Sequence, residues 1–164
     1  MAKRQKRRAY DSSGRKAAAE ATRHAILAAA QRVFLKRGYA GATMPMIAEA
    51  AGIALDTVYA AVGKKPALFR LLVESAISGQ DEAVPAEQRD YVRAIRAETR
   101  ASGKLKIYAA ALGAIQPRLA PIFQILQTAA PLEPDLDKLW REISRRRAAN
   151  MLLLAQDLAA TGQV

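Results

Sequence analysis

From Ala17 to Lys36 the apolar positions Ile26, Leu27, Ala30, Val33 and Phe34 recur every three or four residues, with Arg23, Arg32 and Lys36 outside that stripe. This spacing predicts an amphipathic helix, and Gly38 is placed to stop it. Thr43 is a suitable N-cap and Pro45 suits a first turn, so a second helix is expected up to Ala51, with Ile47, Ala48 and Ala51 inward. Gly52 ends it. A third, very short helix follows over Thr57–Val62 and is closed by Gly63. Pro66 opens a fourth, with the stripe Leu68, Phe69, Leu72, Val73 and Ile77. Three helices with a tight glycine turn between the second and third fit a helix-turn-helix plan, in which the third helix enters the DNA major groove.

The remainder also reads as helical. Gly79 and Pro85 mark a break, after which Tyr91, Ile95 and the series Arg89, Arg93, Arg96 and Arg100 suggest an exposed amphipathic helix ending at Gly103. Leu105, Tyr108, Ala109, Leu112 and Ile115 form the next stripe, expected to be interrupted at Pro117 and Pro121. Ile122, Phe123, Ile125 and Leu126 form an apolar stretch closed by Pro131. A long last helix is expected from about Pro134 to Ala160, with Leu136, Leu139, Trp140, Ile143, Met151, Leu154 and Leu158 as its stripe. The expected fold class is all-α.

Charge adds a partner to this picture. Of the 164 residues, those up to 70 hold 14 Lys/Arg against 4 Asp/Glu, and those after it 12 against 11. The excess of +11 therefore sits almost wholly in the N-terminal part, which points to a polyanion partner there. Residues 1–19 read as a flexible basic arm bearing Lys3, Arg4, Lys6, Arg7 and Arg8. It lacks an apolar face for adsorbing to a membrane, so DNA is its expected partner; a tail without a specific role is the alternative. The chain has no Cys, no secretory signal and no run of roughly 20 apolar residues, and a cytoplasmic, nucleoid-associated protein without membrane contact is expected.

The stretch TRHAILAAAQRVFLKRGYAGATMPMIAEAAGIALDTVYAAVGKK, residues 22–65, followed by Leu68, resembles the tetracycline-repressor (TetR) family of transcription regulators. The matching features are Thr-Arg, Ile-Leu and Ala-Ala in the first helix, an apolar-Phe pair, Gly-Tyr, Thr, Ile-Ala, Ala-Gly-Ile, Thr-apolar-Tyr and a closing Lys. The resemblance implies a helix-turn-helix domain over 20–66 and a helical ligand-binding and dimerisation domain over 67–164. The family continues past the point where this chain stops, which implies that the last dimerisation helices are absent here. Ala54 departs from the usual Ser, Val62 from the usual Phe, and Lys64-Lys65-Pro66 from Ser-Lys-Glu.

By the same resemblance, Tyr39, Thr43, Tyr59 and Lys65 lie where the family contacts phosphates, with Lys64 adding charge. Leu55, Asp56 and Ala60, with Thr57 beside them, lie where it contacts bases. The chemistry suits those roles: Leu55 and Ala60 offer apolar contact to thymine methyls, and Asp56 an acceptor for a cytosine amino group. The alternatives are packing for Tyr39 and Tyr59, a favourable dipole contact at the helix start for Asp56, and plain surface exposure for Leu55. Tyr108, Leu112, Phe123, Leu126, Trp140, Ile143, Arg147 and Met151 are candidates for an effector pocket, with ordinary core packing as the alternative.

The resemblance implies a homodimeric repressor that a small-molecule effector releases from a palindromic operator in double-stranded DNA. A non-specific nucleic-acid or nucleoid binder driven by the arm is the other reading. Catalysis is not expected, and neither a cofactor nor a metal: His24 stands beside Arg23 in the first helix, Asp135 and Asp137 sit where a helix start explains them, and no nucleophile–base pair or phosphate loop occurs. The run Arg145-Arg146-Arg147 is expected to face solvent with ion pairs to Glu142, with an anionic ligand or partner as the alternative; Arg147 is the member able to turn inward, where it would need a carboxylate partner or would face an acidic ligand.

Overall fold

In the computed structural model, residues 12–163 are described; they form seven α-helices, one short 3-10 turn and no strand. The helices are α1 (Ser12–Gly41), α2 (Met44–Ala51), α3 (Leu55–Val62), α4 (Lys65–Ser78), α5 (Asp90–Ala97), α6 (Ala101–Ala129) and α7 (Pro134–Ala159). Lys3, Arg4, Lys6, Arg7 and Arg8 lie outside the described residues. Ser12 to Ala19, expected in the flexible arm, belong to α1 instead. Ala17, Ala18 and Ala19 favour helix intrinsically, and Lys16 pairs with Glu20 one turn on. Gly38, at φ 67°, breaks the regular helix where a stop is expected.

Two local devices set the angle between α2 and α3. Thr43 Oγ1 accepts from the backbone N–H of Met46 at 3.4 Å and caps α2. At the other end Gly52 takes φ 66°, so its N–H donates to the Glu49 carbonyl while that of Ile53 donates to Ala48, both at 3.1 Å. This double bond needs a left-handed residue, which Gly accepts without strain. The chain turns by 104° between the two helices. α3 has no side-chain cap at Ala54, and Asp56 sits in its first turn. Thr43→Ala should cost about 1 kcal/mol of stability, measured by urea unfolding against the parent chain.

One continuous core joins the two parts of the molecule. Ile26, Ala30 and Phe34 of α1, Ile47 of α2, Val58 of α3 and Leu68, Phe69 and Val73 of α4 are buried together with Ile122 and Leu126 of α6 and Leu136 and Leu139 of α7. Phe69 meets Phe34 and Tyr39 edge to face, at 5.0 and 5.2 Å between ring centroids. α4 is therefore a structural member of both parts.

Three expectations in the second part give way. The helix expected to end at Gly103 ends at Ala97, and Gly103 lies inside α6. Glu98 makes the break: its Oε1 accepts from the N–H groups of Thr99 and Arg100, both at 2.8 Å. These donors hold its carboxyl below the ordinary carboxylate range, and the side chain lies across Gly103, where an added Cβ would meet it at 2.5 Å. α6 also runs unbroken through Pro117 and Pro121. Both prolines face solvent, where water can take the carbonyls left without a donor, and α1, α4, α5 and α7 hold the helix from its other sides. Finally, α6 is long and apolar enough to cross a membrane by length and composition. With Ile122 and Leu126 in the common core, it packs as the spine of the second part.

Candidate nucleic-acid interface

The period of α3 sorts its side chains cleanly. Val58 and Val62 are buried, whereas Asp56, Thr57, Tyr59 and Ala60 are exposed, Tyr59 by 41%. Asp56 and Ala60 point most directly away from the core, because each lies about half a turn from Val58 and Val62. Leu55, expected to face bases, is half-buried against the core and serves packing. Thr43 and Lys64, at the starts of α2 and α4, are exposed at either end of this surface, and Lys65 is half-buried. The short helix thus presents a polar outer row flanked by the exposed hydroxyl of Thr43 and the exposed Lys64.

Tyr39 does not stand on that surface. It is 5% exposed, stacked 5.8 Å from Phe34, and Lys65 Nζ lies 4.3 Å above its ring. Packing takes the place of the phosphate contact expected for it. Burial, together with the carboxylates of Glu133 and Asp135, pushes its phenol up to about 12. Burial also lowers Lys65, partly offset by Glu133, so the α6–α7 turn reaches this corner of the N-terminal part. For Tyr39 the unfolded chain releases its proton first, near pH ~10. Stability should therefore fall as pH rises from about 10 and stop falling for this reason at about 12. An alkaline absorbance titration should show a late tyrosinate step that Tyr39→Phe removes.

Beside α3 lies an open recess lined by Lys16 and Arg23 of α1, Thr57 and Ala60 of α3, and Asp81 and Glu82 after α4. His24 Nδ1 is 2.8 Å from Asp81 Oδ2, which ties α1 to the segment following α4. The two cations beside the outer row of α3 escaped the sequence reading, since only the fold brings α1 alongside α3.

The second part holds a cavity of about 120 Å³ between the end of α4, the start of α5, α6 and α7. Of the residues expected there, Tyr108, Leu112, Phe123, Ile143, Arg147 and Met151 line it. Leu126 is fully buried in the core, and Trp140 packs on Phe123 at 5.0 Å between ring centroids; neither lines the cavity. Tyr91, Tyr108, Asn150 and Met151 also line a second cleft, of about 440 Å³, that runs along α5 and α7.

The arginine run also divides differently from expectation. Glu142 is engaged by Arg70 of α4 through two bonds of 2.7 Å, not by its α7 neighbours, and the pair holds the Glu142 carboxyl low. Arg146 is the member that turns inward, donating to the buried Glu74 of α4 at 2.7 Å, while Arg147 is exposed at the cavity rim. α4 and α7 are thus bridged by two ion pairs one turn apart. Charges of opposite sign four residues apart, Arg70 and Glu74 against Glu142 and Arg146, were the sequence signal for this ladder.

Residues 26–72 match the family described as bacterial regulatory proteins, tetR family. A solved structure assigned to the TetR-family transcriptional regulators, from Mesorhizobium loti, is similar with a TM-score of 0.60 and 23% identity. The similarity covers 88% of this chain and 71% of that one. No curated protein matches.

Proposed function

We propose that this chain, whose residues 26–72 match the bacterial regulatory proteins of the tetR family, is a sequence-specific DNA-binding repressor that a small molecule releases from its operator. The observation that carries the reading is the outer row of α3, Asp56, Thr57, Tyr59 and Ala60, presented on a helix whose inner face is locked by Val58 and Val62. Residues 20–66 act as the DNA-reading domain and 67–164 as the regulatory one, with α4 shared between them. Thr43, Tyr59, Lys64 and Lys65 contact phosphates, and Asp56, Thr57 and Ala60 meet base edges.

Two copies reading a palindrome would each place one α3 in successive major grooves. Exposed Leu105 on α6 and Leu152 and Leu153 on α7 offer apolar surface for the second copy. The effector enters the cavity against Ile77 of α4 and Arg146 of α7. Arg146 already holds Glu74, so a ligand that shifts α7 shifts α4, and α4 carries Phe69 into the core of the DNA-reading part. Release requires that the effector bind the shifted state more tightly.

The test is a gel shift at physiological salt with genomic fragments surrounding the protein's own gene. One fragment should be retained at protein concentrations that leave the others free. Equal retention of all fragments, with a steep dependence on salt, would instead establish non-specific binding.

A further inference from the structure

We propose that the cavity takes an amphipathic anion, a carboxylate on an alkyl or aryl body, and that Arg147 is the charge that receives it; this deepens the effector reading above and rests on it. Three guanidinium groups, Arg89, Arg146 and Arg147, line the 120 Å³ cavity, and no acidic residue does. Arg146 is matched by Glu74. Arg89 donates through Nε to the Val84 carbonyl at 3.1 Å, which leaves its charge uncompensated. Among the described residues neither Arg89 nor Arg147 has a carboxylate within ion-pair distance. An unmatched pair of cations beside an otherwise apolar and aromatic wall favours a ligand that brings its own negative charge.

A second observation concerns the donor opposite. The Tyr108 hydroxyl donates to Met151 Sδ at 3.2 Å. A thioether is a weak acceptor, so a carboxylate oxygen is the better partner for this phenol. Tyr108 also borders the 440 Å³ cleft, whose far end is walled by Val92, Leu153 and Leu154. Two carboxylates line this cleft, Asp157 held by the buried Lys104 at 2.8 Å and the exposed Glu87, which leaves it to the uncharged part of the ligand. The carboxylate therefore sits between Arg147 and the Tyr108 hydroxyl, and the apolar body runs past Met151 toward Leu154. The cleft's 440 Å³ by itself falls within the ~300–1,000 Å³ usual for small-molecule sites.

The experiment is calorimetric titration of the full chain with decanoate and with decanol, repeated on Arg147→Gln, Arg147→Lys and, as a control, Arg145→Gln. Decanoate should bind at least about tenfold more tightly than decanol, the scale of one charge-assisted hydrogen bond. R147Q should remove that preference, R147K should keep most of it, and R145Q should leave it intact. Decanol binding as well as decanoate, absence of decanoate binding, or an undiminished preference in R147Q overturns the proposal. A gel shift on the preferred fragment separates the two readings. Decanoate that binds as described yet leaves DNA bound defeats the effector reading alone, and release by decanol but not decanoate defeats the anion site alone.

Discussion

Ala60→Glu is expected to abolish specific DNA binding while leaving the fold intact. Ala60 is exposed on the face of α3 opposite Val58 and Val62, so the larger side chain has room and disturbs no core contact. In the complex the new carboxylate would lie among phosphates and base edges, and the nearby Lys16 and Arg23 share their recess with Asp81 and Glu82. Like charges juxtaposed in an interface cost several kcal/mol, and about 3 kcal/mol is already more than 100-fold in affinity. Fluorescence anisotropy on the preferred genomic fragment should show that loss, with an unchanged thermal melt. Ala60→Ser, which keeps size and neutrality, should bind within a few-fold of the parent chain. Undiminished binding by A60E would mean that this face of α3 does not read DNA.

Phe69→Ala should be the most damaging single change to stability. The ring is fully buried, meets Phe34 and Tyr39 edge to face, and sits on the helix common to both parts. Truncating a buried Phe costs about 3–5 kcal/mol from lost transfer energy and the cavity left behind. In a chain of this size that lowers the melting temperature by roughly 10 °C or more. Because the core is continuous, the far-ultraviolet signal of both parts should be lost in one transition. A loss below about 1 kcal/mol, or a melt confined to one part, would show that α4 does not join them. Phe69→Leu, which fills most of the volume, should recover much of the stability.

The helix-turn-helix was legible because its signals are local. Thr43 caps the helix that follows it, and Gly52 supplies the left-handed turn that two hydrogen bonds require. The alternation of Val58 and Val62 with exposed neighbours fixes which face of α3 is free. The family resemblance rests on the same residues, and the match over 26–72 covers them. What failed in that part was depth: Tyr39 and Leu55 have side chains suited to either role, and only their neighbours put Tyr39 among aromatic rings and Leu55 against the core.

The second part was legible as helices but not in its joints. Gly103 and two prolines are helix breakers by propensity, yet Glu98 made the break earlier and packing carried α6 through the prolines. Propensities of a few kcal/mol are overridden where a helix is held on several sides. The cavity residues were half-legible. Apolar spacing found Tyr108, Leu112, Phe123, Ile143 and Met151, but the same spacing also produced Leu126, which the core took.

The sequence by itself determined the helical class, the helix-turn-helix, and the segregation of positive charge toward the N-terminal part. All three follow from periodicity, caps and composition, which act over a few residues or not at all on geometry. The tertiary structure alone decided which arginine of 145–147 meets Glu74, that Arg70 takes Glu142, and that a cavity with two unmatched cations opens between α5, α6 and α7. Those are matters of which helix faces which across more than seventy residues of chain, and pairing at that range depends on the packing of the whole core rather than on any local preference.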